Sequence, residues 1–265
     1  MSGPAAVMAF VLAETAAGGA AFLFLTPLWG EVRRGFFYLT GAVVLVLAAG
    51  AAGSAGAALD PAAGAGGRLA LVLALALAGA TLAWLVLMMF RLRAVARVLG
   101  VASVALAVAM LLAFARTADE SGALAAFQLL AGAVFTGAVL DGLLLGHWYL
   151  TDRKLPRGPI NRMAWALIGS VAIEAAAVLA GGFGGFGGAS AASGNGSLSP
   201  IFTVAGVSSW IAIGMVGTTG LIAAFIKLTL RGERPSAVQS ATGFFYLAVI
   251  TAFTAELAAK VRFLP

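Results

Sequence analysis

The chain has 265 residues, 62% of them hydrophobic and only 10% charged, with a net charge of +6 and no cysteine. Its mean hydropathy is +1.05, which excludes an ordinary soluble domain, because such a domain needs far more polar surface. Without cysteine there are no disulfides, thiol relays or Cys-ligated metal or iron–sulfur centres.

Apolar runs of about 20 residues or more recur along the chain, the length that crosses a bilayer as a helix. Short alternating segments of the kind that build a membrane barrel are missing. The expected fold is therefore all-α: a polytopic membrane helix bundle forming a single transmembrane domain over 1–265. Spans are expected at about 4–29, 36–59, 68–90, 95–115, 123–150, 161–180, 201–226 and 243–261.

The first span opens with MSGPAAV, without a positive charge, and carries Glu14 inside its apolar run. It reads as a mature span rather than a signal peptide. The basic loop EVRRG leads into the second span, which opens with GFFYL at Gly35–Leu39. The near-neutral DPAAGAGGR precedes the third span, and RLRAVARVLG leaves a very short turn before the fourth. After TADESG comes the fifth span, with Asp141 among Gly137, Gly142 and Gly146.

The fifth span ends in GHWYLTDRKLPRGPINR, which holds the only histidine, His147, and a basic loop at about 151–162. Pro156 and Pro159 stiffen that loop. The sixth span carries Glu174. A Gly/Ser-rich loop at about 181–200 is flexible by composition. Its Asn195-Gly196-Ser197 matches a glycosylation pattern that is short and common. KLTLRGERPS separates the seventh span from the eighth, which repeats GFFYL at Gly243–Leu247 and ends with Glu256 and Lys260. The repeat reads either as a duplication or as the same aromatic anchor selected twice.

The loops alternate between Lys/Arg-rich and near-neutral. The positive-inside rule then puts the basic loops in the cytoplasm and both termini outside. Tyr38, Tyr149, Tyr246, Trp29, Trp148 and Trp165 all fall at the expected cytoplasmic ends, where amphipathic rings prefer to sit. The expected location is a cell membrane of the bacterial inner-membrane kind. The positive charge is explained by this orientation rather than by nucleic acid.

Ionisable groups within spans are the strongest functional clues, since burying a charge among lipid tails is costly. Glu14 and Glu174 lie near mid-span with no cationic neighbour on their own helices. Each would then hold a proton, or meet a cation from another helix. With Asp141 they are the candidate proton-relay or ligand residues. Asp141 reads equally as a hydrogen-bonding group between close-packed helices. Glu256, one turn before Lys260, reads mainly as a structural i,i+4 pair. Thr136, Ser208, Ser209, Thr218 and Thr219, with their neighbouring glycines, suit helix packing or a polar cavity.

His147, Trp148, Tyr149 and Arg153 could contact a quinone or a lipid headgroup, combining a donor near the interface with rings on which a flat molecule stacks. The plainer reading is an anchor belt at the interface. One histidine excludes a bis-His haem within the chain, though not one shared with another subunit. The basic loop could also hold anionic lipid or a partner.

The layout of eight spans with both termini outside is similar to that of the quinol-handling membrane subunits of the DmsC and NrfD type. The similarity is one of layout, and it carries over no residues. Three functions follow as expectations. The first is a membrane subunit of a redox or respiratory assembly that handles quinone and protons, with other redox subunits as partners and no covalently held cofactor. The second is a proton-coupled transporter. The third is a structural membrane protein without a site. No nucleophile–base pair, phosphate loop or metal cluster marks a self-contained enzyme.

Overall fold

A computed structural model describes residues 1, 3–25, 30–59, 65–118, 121–152, 154–182, 204–232 and 235–264. The elements in chain order are α1 (Gly3–Leu25), α2 (Arg34–Ala58), α3 (Ala65–Met89), α4 (Arg93–Ala115), α5 (Gly122–Thr151), α6 (Gly158–Ala180), α7 (Val204–Thr229) and α8 (Pro235–Lys260). A short 3-10 turn over Val261–Phe263 extends α8. All eight helices are long and apolar enough to cross a membrane, and no strand occurs among the described residues. Trp29, Arg153, the Asn195-Gly196-Ser197 pattern and nearly all of the Gly/Ser-rich loop lie outside the described residues.

Helicity outruns apolarity at one end of the bundle. The last helix starts at Pro235 rather than near Gly243. Proline is tolerated at a first helical position because the N–H it lacks has no partner there. The small polar residues that follow continue the helix without extending the apolar run. The second GFFYL copy therefore lies well inside α8, whereas the first opens α2. Their tyrosines also differ in surroundings. Tyr38 donates to the Met88 carbonyl at 2.8 Å, whereas the Tyr246 hydroxyl lies 3.5 Å from His147 Nδ1.

The short α3–α4 connection is a tight helix stop. Arg91 adopts φ +61. The Leu92 N–H bonds the Leu87 carbonyl at 3.0 Å, and the Arg91 N–H bonds that of Met88 at 3.2 Å. This is the Schellman pattern, with arginine where glycine is usual. It lets α4 begin two residues later.

The helices pack as two antiparallel four-helix groups. In one, α1 touches α2 and α4, and α3 joins α2 to α4; in the other, α5 touches α6 and α8, and α7 joins α6 to α8. The groups fuse along α1 and α5, with further α4–α5 and α1–α8 contact. Both termini come to one end, where Phe10 of α1 stacks edge-on against Phe114 and Phe263, with centroids 5.7 and 5.2 Å away. The two GFFYL copies occupy the second helix of one group and the fourth of the other, so they are not equivalent positions in the two groups.

The α1–α5 seam is made by small residues. A Cβ added at Gly18 would lie 1.8 Å from the Ala133 carbonyl oxygen, and one at Gly137 would lie 2.4 Å from the Gly18 carbonyl carbon. Only glycine permits this approach, which brings two backbones into van der Waals contact. Large apolar side chains point outward around the bundle, among them Val46, Val98, Leu221 and Ile250.

Candidate functional site: a buried carboxyl–ammonium cluster

Glu256 and Lys260 lie one turn apart on α8, so their side chains share a face. That face looks into the seam where α8 meets α1 and α5. Lys260 Nζ lies 2.8 Å from Glu256 Oε2 and 2.8 Å from Glu14 Oε1 of α1. The carboxyl of Glu174, from α6, adjoins that of Glu256 and completes the group. All four residues are at most 1% exposed.

The neighbouring helix is built to admit this cluster. A Cβ at Gly132 of α5 would sit 2.6 Å from Glu14 Oε1 and 2.8 Å from Glu256 Oε2. Glycine at this level leaves room for the charged heads. Ser170, one turn before Glu174, gives its hydroxyl to the Leu167 carbonyl at 2.8 Å instead of to the cluster. Thr136 likewise bonds its own helix, at the Gly132 carbonyl, 2.7 Å away.

Three carboxyl groups surround one ammonium. The Lys260 charge can balance one carboxylate, and the other negative charge must be matched by protons or cations in so dry a site. Glu14 Oε2, Glu256 Oε1 and Glu174 Oε2 are buried and lack a hydrogen-bond partner in the protein. The arrangement can therefore hold and exchange protons among closely spaced oxygens.

Toward the end that carries both termini, the cluster continues into a cavity of about 10 Å³ lined by Gln128, Glu174, Lys260 and Arg262, among others. That volume matches about one water. Gln128 Nε2 donates to the Ala177 carbonyl at 3.2 Å. Its Oε1 is buried without a partner, as is Glu174 Oε2 beside the same cavity. Arg262 closes the mouth by donating to the Gly181 carbonyl.

Asp141 stands apart from this group. It is buried on α5 at 1% exposure, and neither carboxyl oxygen has a hydrogen-bond partner. It lies nine residues beyond Gly132, about 13 Å along the helix toward the arginine-rich end.

The described residues around His147 make separate contacts. His147 is exposed, and the only hydrogen-bond contact seen for it is that with Tyr246, at 3.5 Å. Trp148 is partly buried against Gly35, where a Cβ would meet its ring at 2.2 Å. Tyr149 is buried and donates to the Pro156 carbonyl, folding the loop onto the helix end. Arg33 pairs with Asp152 at 3.0 Å and Arg162 with Glu31 at 2.6 Å, tying this loop to the α1–α2 connection. Lys227 adds a bond to Asn161 Oδ1 at 2.8 Å and sits 5.0 Å over the Trp165 ring. The small polar residues of α7 serve helix packing at one point at least, where the Thr219 and Thr251 hydroxyls lie 2.7 Å apart.

An apolar cleft of about 380 Å³ lies between α1, α4 and α5, lined among others by Ala17, Gly18, Leu111, Leu130 and Ala133. Gly18 is one turn from Glu14, and Ala133 follows Gly132. The cleft thus comes to within one helical turn of the cluster. Among the described residues no three His, Asp or Glu side chains are placed to hold a metal ion.

No family model, curated protein or solved structure matches the chain.

Of the acids singled out in the sequence, Glu14 and Glu174 come together and Asp141 does not join them. The cation that meets Glu14 comes from another helix, and it is Lys260. The Glu256–Lys260 pair exists as its spacing suggests, but as half of a buried four-residue group. Gly132, Gln128 and Arg262 were not singled out. The available signal was Lys260 itself, a lysine at the end of a largely apolar helix in a chain with unpaired acids in two other spans.

Proposed function

We propose that the chain is an integral membrane protein that takes up and releases protons at the Glu14–Glu174–Glu256–Lys260 cluster, as the membrane subunit of a redox assembly that handles quinone. The observation that carries this reading is the cluster: three carboxyls share one ammonium in the dry seam of a helix bundle. Such groups are costly in a membrane core and are typical of proton and ion pathways. The apolar cleft beside Glu14 gives a lipophilic molecule an approach from the bilayer. Asp141 is the acid that would carry protons on toward the arginine-rich end.

In this reading the outward-facing Val46, Val98, Leu221 and Ile250 meet lipid. The arginine-rich end faces the cytoplasm and both termini face outside, in a bacterial inner membrane. The experiment is gentle purification from the native membrane, followed by mass spectrometry of what accompanies the chain. Stoichiometric quinone with redox subunits supports the reading, and a lone protein with bulk lipid overturns the assembly part of it.

A second reading has its own support. The cluster draws on three helices and adjoins a small cavity lined by Gln128 and Arg262 on the side of the termini, a route that a proton-coupled transporter would use. Proton flux in proteoliposomes that needs no redox partner, and that Glu14→Gln or Glu174→Gln abolishes, would select it.

A further inference from the structure

The arginine-rich end holds a second cavity, distinct from the proton cluster. It measures about 370 Å³ and is lined by Val32, Arg33, Arg34, Phe37, Met88, Arg93 and Arg97. Four guanidinium groups thus border one cleft whose remaining wall is apolar.

The wall is built, not incidental. Tyr38 of α2 donates to the Met88 carbonyl at 2.8 Å and locks the end of α3 against α2. The Arg91 turn at φ +61 then starts α4 at once, so Arg93 and Arg97, one turn apart, stand over the same cleft. From the other side come Arg33, the residue just before α2, and Arg34, its first residue. Neither α2 nor α4 has a side-chain cap or an acidic residue in its first turn. The positive ends of their dipoles add to the arginine field. Asp152 pairs with one of the arginines, its carboxylate lying 3.0 Å from Arg33 Nε. Arg34 and Arg93 bring further positive charge to the same cleft.

We propose that this cleft binds a phosphate ester, and specifically the headgroup phosphate of an anionic lipid. Guanidinium groups recognise phosphate through paired N–H donors. Phe37, Met88 and Val32 supply an apolar wall on which the adjoining glycerol and acyl carbons rest, a combination that free phosphate would not use. The site follows from the cleft alone and stands whether or not the cluster exchanges protons.

The test uses the full-length purified protein in detergent. Native mass spectrometry counts bound lipid after addition of phosphatidylglycerol or of zwitterionic phosphatidylcholine. One phosphatidylglycerol per chain should be retained, with phosphatidylcholine much weaker. Arg34→Gln with Arg93→Gln should weaken retention at least roughly tenfold. Arg116→Gln, a control outside the cleft, should leave it unchanged. Arg34→Lys with Arg93→Lys keeps the charge and should lose affinity only in part, which keeps the test valid if the glutamine variant folds poorly. Competition with inorganic phosphate separates the sources. Failure to displace the lipid supports a headgroup site, and displacement at low concentration moves the ligand to a soluble phosphate and overturns the lipid assignment. Equal retention in the glutamine variant, or equal binding of both lipids, overturns the proposal.

Discussion

Lys260 Nζ lies 2.8 Å from Glu14 Oε1 and 2.8 Å from Glu256 Oε2, so one ammonium ties α8 to α1 and to its own preceding turn. Removing it leaves acids buried against one another. Lys260→Met is expected to cost about 3–5 kcal/mol, the usual penalty for breaking a buried pair from one side. Glu14→Gln in the same chain should recover part of that loss, because the two changes act on one contact. Thermal unfolding in detergent of the two single variants and the double variant measures the coupling.

Glycine positions give a sharp contrast. Gly18→Ala would drive a methyl to 1.8 Å from the Ala133 carbonyl oxygen, so α1 and α5 must separate. A loss of about 1–3 kcal/mol or more is expected, as for other overpacked seams. Gly217→Ala meets nothing within 4 Å and should be neutral or stabilising by about 0.5–1 kcal/mol. Melting temperatures of the two variants test whether the seam, rather than glycine content in general, holds the bundle.

Arg91 occupies a left-handed turn that favours glycine. Arg91→Gly is expected to stabilise the protein by roughly 1 kcal/mol, the strain that a Cβ brings there. A lower melting temperature would mean that the arginine side chain contributes more than its backbone costs.

Gln128 and Arg262 frame the small cavity between Glu174 and the end that carries the termini. Gln128→Leu removes the polar lining while keeping the bulk. Proton exchange at the cluster should slow, because a water in the cavity would lose a hydrogen-bond partner. His147→Ala is a useful companion, because its exposed ring has only the 3.5 Å contact with Tyr246. Its melting temperature should not change, so any loss of quinone-linked activity in that variant would report function rather than folding.

The number of helices and their rough positions were legible in the sequence because apolar run length measures them directly. The start of α8 was not, since a helix can run on through PSAVQSAT without adding apolar length. Glu14 and Glu174 stood out because each is an acid inside an apolar run. Their meeting was hidden, because which face of α1, α6 and α8 turns inward depends on packing between helices far apart in the chain. Lys260 was misweighted for a related reason. Its i,i+4 spacing from Glu256 fits an exposed exit-turn pair and a buried cluster equally well, and only burial separates the two. The arginine cleft draws on the starts of two helices some sixty residues apart, and no local pattern announces it.

The most direct test of the central claim is infrared difference spectroscopy of the purified protein across a pH titration, in light and heavy water. Proton exchange at the cluster predicts a carboxylic-acid stretching band that shifts on deuteration and is reduced or lost in Glu14→Gln and in Glu174→Gln. A wild-type spectrum without a titrating carboxylic-acid band, or one that both variants leave unchanged, would contradict the account and leave the cluster as a structural clasp.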